Sequence, residues 1–263
     1  MSTYLLRKGR SSEDAFTGML ADLVAWWPER AVALLAGARK FDEATGSVGL
    51  PRGINPRHEG DILVSPWPSW PSGEPDLILE FRPPNGNRSL VIIEAKLGAA
   101  KSSVDDAANG PLEPRDQLAK YWWDATAGRD RPGTPLPTLV EVLYLTHHPT
   151  APLDDLASSM AAMKRMNQSQ SPALYWLGWS DIERSLRMDL RGAGAQGALA
   201  RAFRSAAEVL ARADLVAFAG AWRPEGLATI TIPASGWRFR RSWRPPRPLP
   251  VLTDPIFWRK HGR

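Results

Sequence analysis

No cysteine occurs among the 263 residues, so disulfides, thiolate metal sites and a cysteine nucleophile are excluded. Histidine is scarce, and the adjacent His147 and His148 alternate faces at a strand end, so they suggest no shared metal. No apolar run approaches the length of a membrane span, and no apolar signal core opens the chain. We expect a cytoplasmic protein without membrane contact. No internal repeat is visible, which sets repeat architectures aside.

The composition suits a globular chain with a sizeable core, 43% hydrophobic and 23% charged. Its length allows one large domain or two small ones. A net charge of +5 and a pI of about 9.7 favour a polyanionic partner. The twelve tryptophans are expected mostly in the core, with some available for stacking.

The organising stretch runs from Glu74 to Lys96, E-P-D-L-I-L-E-F-R-P-P-N-G-N-R-S-L-V-I-I-E-A-K. Two Leu/Ile/Val-rich runs flank a Pro/Asn/Gly cluster, the pattern of a β-hairpin. Alternation sets Leu77, Leu79 and Phe81 on one face, and Asp76, Ile78 and Glu80 on the other. Val91, Ile93 and Ala95 likewise oppose Ile92, Glu94 and Lys96. Pairing the apolar faces requires paired residue numbers that sum to an even value. A two-residue turn at Asn85-Gly86 would make the sum odd and turn Asp76 away. A longer loop or a bulge is therefore expected, and Pro83-Pro84, which cannot donate ladder hydrogen bonds, agrees with it. In that register Asp76, Glu94 and Lys96 converge at one sheet edge. Two carboxylates with open positions suit a hydrated Mg²⁺, and the amine can orient water or balance phosphate charge in metal-assisted phosphodiester hydrolysis. For these three residues alone, a surface salt-bridge cluster is the alternative.

The rest of the chain alternates helices and strands. Ser11-Ser12 caps a helix with Glu13 and Asp14 in its first turn. Phe16, Met19, Leu20, Leu23, Trp26 and Trp27 form its buried stripe, and Asp14, Thr17, Ala21 and Asp22 its wet face. Glu13, at the end of the stripe, serves either the site or the helix dipole. Pro28 ends or kinks this helix, and Glu29 to Ala36 form a second, short one. Residues 43 to 60 make a loop carrying Arg52, Arg57 and His58, and Asp61 to Ser65 a strand. Pro66, Trp67, Pro68, Trp70 and Pro71 make a stiff connection to the hairpin.

Beyond a polar loop, a helix is expected over Glu113 to Ala127, with Pro114 in its first turn and Gly128 past its end. Gln117 and Tyr121 lie one turn apart on it, by themselves a buried amide and aromatic pair; Trp123 and Asp124 carry little signal. Leu139 to Thr146 and Ala173 to Trp179 are strands. Leu153 to Met166, Asp181 to Met188 and about Ala198 to Phe218 are helices, with a joint over Gly192 to Gly197. Leu227 to Ile232 make a late strand. From Gly236 arginine, tryptophan and proline mix, which suits an arm wrapping the domain or touching nucleic acid.

Pro75-Asp76 followed by Glu94-Ala95-Lys96 resembles the signature of the PD-(D/E)XK nuclease superfamily. The Q-x-x-x-Y helix at Gln117 and Tyr121 resembles it again. The Tyr144-Leu145-Thr146 turn and the Trp179-Ser180-Asp181-Ile182 helix start are similar to one of its branches. The resemblance covers roughly Ser11 to Leu190. It implies an α/β fold of α+β type with a restriction-endonuclease-like αβββαβ core, a central mixed sheet flanked by helices. Extra C-terminal helices and a basic tail would follow. The division would be a core over 1–190, a helical extension over 191–235 and the tail over 236–263.

The resemblance also implies roles. Asp76, Glu94 and the Ala95 carbonyl would ligate Mg²⁺ or Mn²⁺, and Glu13 would complete the outer shell. Lys96 would position the attacking water, and Gln117 and Tyr121 would hold Lys96 or a phosphate oxygen. The implied activity is metal-dependent hydrolysis of nucleic acid, DNA in preference to RNA, and a homodimer is compatible with it. The alternative, from another class, is a catalytically inactive nucleic-acid-binding or protein-interaction module on the same scaffold.

Overall fold

The computed structural model describes residues 12–26, 34–51, 61–82, 88–97, 114–166, 169–192, 198–213 and 215. All of them fall in the first of two units, which divide after Ala219. The elements in chain order are α1 (Ser12–Trp26), β1 (Arg39–Asp42), β2 (Ser47–Pro51), β3 (Asp61–Pro66), β4 (Leu77–Arg82) and β5 (Ser89–Lys96). Then follow α2 (Gln117–Thr126), β6 (Leu139–Thr146), α3 (Leu153–Arg165), β7 (Ala173–Gly178), α4 (Trp179–Gly192) and α5 (Ala198–Arg212).

The architecture is α/β: one seven-stranded mixed sheet, in the order β2-β1-β7-β6-β5-β4-β3, flanked by helices. β3, β4 and β5 form an antiparallel meander, and β5, β6 and β7 run parallel. Parallel neighbours need crossovers, and α2 and α3 supply them. Because helices cover both faces, β5 is buried along its whole length and β4 everywhere but Arg82. Leu77, Leu79, Phe81, Val91, Ile93 and Ala95 pack with α1, α4 and α5. Ile78, Leu90 and Ile92 pack with α2 and α3 on the other face. The expected alternation therefore holds residue by residue. The hairpin register holds too, since Leu77 faces Ile93 and Ile78 faces Ile92, an even sum. The turn at residues 83–87 lies outside the described residues.

Several expectations are corrected. Thr17, Ala21 and Asp22, assigned to the wet face of α1, are buried. This helix packs on β3 and β5 on one side and α5 on another, so a one-face stripe understates its burial. Residues 43 to 60 are not all loop: β2 pairs antiparallel with β1 across a turn in which the Asp42 carboxylate accepts from Ala44 N–H at 3.0 Å. Helix α2 starts at Gln117, because the Asp116 side chain caps it by accepting from Ala119 N–H at 3.1 Å. Helix α4 starts at Trp179, two residues before the expected Asp181, and runs to Gly192 rather than Met188. On α5, helical spacing alone would bury Val209 with Phe203, Ala206 and Leu210, yet Val209 is exposed and Ala207 is buried instead. Trp27, Glu29, Arg52, Arg57, His58, the strand at Leu227 to Ile232 and the tail over 236–263 lie outside the described residues.

Candidate active site

The hairpin register brings Asp76 opposite Glu94 at the end of the meander. Asp76 sits just before β4, and its Oδ2 accepts from Ala95 N–H at 2.8 Å. Extending the β4–β5 register by two residues sets Pro75 opposite Ala95, and proline has no N–H to donate to the Ala95 carbonyl. Within a strand a residue's N–H and C=O point to the same side, so the Ala95 carbonyl shares the Asp76 edge. Lys96 points its carbonyl the other way, accepting from His147 N–H at 3.1 Å.

Glu94 is almost fully buried, and its Oε1 accepts from Lys96 Nζ at 2.5 Å and from Gln117 Nε2 at 2.7 Å. Lys96 also donates to Glu13 Oε1 at 3.3 Å, and Glu13 Oε2 accepts from Leu97 N–H at 3.0 Å. Gln117 Nε2 lies 3.3 Å from the Tyr121 hydroxyl, which donates to the Glu74 carbonyl at 3.2 Å. The six expected side chains, Glu13, Asp76, Glu94, Lys96, Gln117 and Tyr121, thus meet at one edge. They come from α1, the β4 entry, β5 and α2. Sequence patterning missed Ser72, Asp116 and Asp124. Asp124 continues the Gln117–Tyr121 stripe at the next helical spacing, and that spacing was its one available signal.

Burial, helped by Glu13 and Asp14, pushes the Asp76 carboxyl up to about 6 against the pull of the Ala95 N–H and Lys96. Burial and then Asp76 push Glu94 up to about 8, with Lys96 opposing. Burial pulls the Lys96 ammonium down, but Glu94, Asp76 and Glu13 outweigh it and the net shift is upward. Burial and then Glu94 push the Tyr121 phenol up to about 12.

Two features fit a divalent cation. Glu94 Oε2 is buried and accepts no hydrogen bond. The paired carboxylates raise each other's cost of ionising, which a hard cation relieves. Among the described residues no group of three or more His, Cys, Asp or Glu side chains is arranged to hold a metal. The acidic donors are therefore Asp76 and Glu94, while Glu13 has one oxygen on Lys96 and the other on Leu97. A groove of about 540 Å³ near Arg39, Val48, Leu50 and Trp176 shares no residue with this notch.

A pH effect follows. Both carboxyls bind protons more tightly in the folded than in the unfolded chain, so folding stability is full below the ordinary carboxylate range. It is lost as pH rises through about 6 and about 8. Without divalent ions the Tm is expected to fall on the order of 5 °C between pH 5 and pH 8. Calorimetry at constant ionic strength checks this, and Glu94→Gln should flatten the slope. A wild-type Tm that holds steady or rises over that range would contradict the assignment.

Among the described residues no helix is long and apolar enough to cross a membrane. No family model, curated protein or solved structure matches the chain.

Proposed function

We propose that the chain is a metal-dependent nuclease that hydrolyses phosphodiester bonds in nucleic acid, DNA in preference to RNA. The observation that carries this reading is the meeting of Asp76, Glu94, Lys96 and Gln117 in one buried notch where Glu94 Oε2 lacks a hydrogen-bond donor. The order α1, β3, β4, β5, α2, β6 agrees with a restriction-endonuclease-like core, with the β1–β2 hairpin inserted.

Asp76, Glu94 and the Ala95 carbonyl would hold Mg²⁺ or Mn²⁺. The ion would supply Lewis acidity at the scissile phosphate and lower the pKa of a nearby water. An ammonium has three N–H donors, and Lys96 spends two on Glu94 and Glu13. The third is available to orient the attacking water or meet charge growing on the phosphate. Gln117 fixes the Glu94 rotamer, and Glu13 anchors Lys96 to the start of α1. The net charge of +5 favours the approach of a polyanion.

The test is incubation of the whole chain with labelled single- and double-stranded DNA and with RNA, in Mg²⁺, Mn²⁺ or EDTA. Cleavage that needs the ion is expected, faster on DNA. Binding without cleavage under every ion would replace this reading with an inactive nucleic-acid-binding module. Neither binding nor cleavage would leave a protein-interaction role.

A further inference from the structure

Helix α2 turns a stripe of polar side chains toward the site: Gln117, Tyr121 and Asp124, at spacings of four and three. Gln117 holds Glu94, and Tyr121 holds the Glu74 carbonyl. Asp124 touches neither carboxylate of the notch. It is fully buried, its Oδ2 accepts from Ser72 N–H at 2.9 Å, and its Oδ1 accepts from Ser72 Oγ at 3.0 Å. Arg129 Nε lies 3.3 Å from Oδ1, and its guanidinium stacks 4.1 Å over Trp123.

Ser72 sits midway along the loop that joins β3 to β4 and delivers Asp76. The loop is closed at its ends by Trp67 N–H donating to the Asp76 carbonyl at 3.0 Å. Trp70 and Gly73 exchange backbone hydrogen bonds at its tip, and Trp70 stands edge-on to Tyr121 with ring centroids 6.4 Å apart. Trp67 holds a φ of 47°, a region bulky side chains adopt only when their surroundings enforce it. Gly73 has a φ of 139° and its missing Cβ would lie 3.4 Å from the Tyr121 ring, so the loop lies close against α2. Asp76 itself precedes β4, and its backbone is tied to this loop through the bond from Trp67.

We propose that Asp124 is a positioning residue for the candidate site: by clamping Ser72 it fixes the Trp67–Asp76 loop, and through that loop the Asp76 carboxylate. The metal reading above enters only through the binding and kinetic readouts. A buried carboxylate is costly unless its hydrogen bonds are satisfied, and two of those accepted by Asp124 come from one residue fifty-two positions away. The effect of that expense is to hold one loop to one helix, the helix that also holds Glu94.

The test uses the full chain as wild type, Asp124→Ala, Asp124→Asn and Ser72→Ala. Hydrogen–deuterium exchange across residues 67–76 is expected to rise about tenfold in Asp124→Ala, with β5 and β6 unchanged. Asp124→Asn keeps one acceptor and should show a smaller rise. Calorimetric Mn²⁺ affinity should weaken about tenfold, as for residues that orient a ligand. The Mn²⁺ concentration for half-maximal cleavage should shift with it, while the rate at saturating Mn²⁺ stays within about threefold. Unchanged exchange at 67–76 would overturn the proposal, as would a lower saturated rate at unchanged Mn²⁺ affinity. If wild type neither binds Mn²⁺ nor cleaves, the metal reading falls alone and the exchange still decides the clamp. If Asp124→Ala fails to fold, Ser72→Ala, which removes only the Oγ bond, decides in the same way, and no rise there overturns the proposal.

Discussion

Lys96→Ala is expected to lower metal-dependent cleavage roughly 10²- to 10³-fold, the usual cost of removing one preorganised donor at a developing charge. The substitution takes away the third N–H, which the proposed mechanism assigns to water or phosphate beside the two given to Glu94 and Glu13. It also strips Glu94 of the cation that opposes its burial, so its carboxyl holds a proton more tightly and yields it less readily to an ion. A neutral Glu94 holds a cation poorly. The two losses act together, and a higher Mn²⁺ concentration should recover only part of the rate. Lys96→Arg should not rescue it, because a planar guanidinium cannot repeat the ammonium's geometry in so enclosed a site. Cleavage of labelled duplex, with circular dichroism to verify folding, checks this. Full activity in Lys96→Ala would remove the lysine from the chemistry and with it the proposed mechanism.

Asp130→Ala is expected to destabilise the chain by about 3–5 kcal/mol and lower its Tm on the order of 10 °C. Arg88, just before β5, donates from Nη1 to Asp130 Oδ2 at 2.9 Å and from Nη2 to Oδ1 at 3.2 Å. Both side chains are buried, and Arg88 Nε donates to the Pro135 carbonyl at 2.9 Å. Truncating the acid strands a guanidinium where water cannot reach it. Replacing both residues with apolar ones of similar volume should cost far less. Thermal and urea unfolding check the difference, and below the lowered Tm the cleavage rate should stay at wild type. A loss below about 1 kcal/mol would mean that the rim of the sheet relaxes to admit water.

These two ion pairs flank one strand and differ in a way that separates structure from chemistry. At the entry to β5, each Asp130 oxygen meets its own guanidinium nitrogen. At the exit, Glu94 Oε1 takes two donors and Oε2 takes none, with a second carboxylate alongside. A fully satisfied pair holds a sheet together. An under-satisfied pair of like charges raises the free energy of the empty notch and favours a bound cation.

Much of the hairpin was legible beforehand because a strand's side chains alternate with period two. An even-sum register follows from matching Leu77, Leu79 and Phe81 with Val91, Ile93 and Ala95, and it sets Asp76 opposite Glu94 without knowledge of any other element. The Gln117–Tyr121 relation was legible for the same reason, one helical turn being a local distance. The start of α2 was misjudged by four residues because Pro114 competes with the true cap, and Asp116 wins through the bond it makes to Ala119 N–H. Its other oxygen accepts from Ser159 Oγ at 3.0 Å, a partner on α3 that no local rule can supply.

Local periodicity, then, was enough to determine which residues of the hairpin and of α2 share a face, since it depends only on backbone geometry within each segment. The burial of Thr17 and Asp22, the pairing of β2 with β1 and the grip of Asp124 on Ser72 were decided only by tertiary structure. Each depends on a second segment far along the chain, and contact between distant segments depends on how helices pack over the finished sheet.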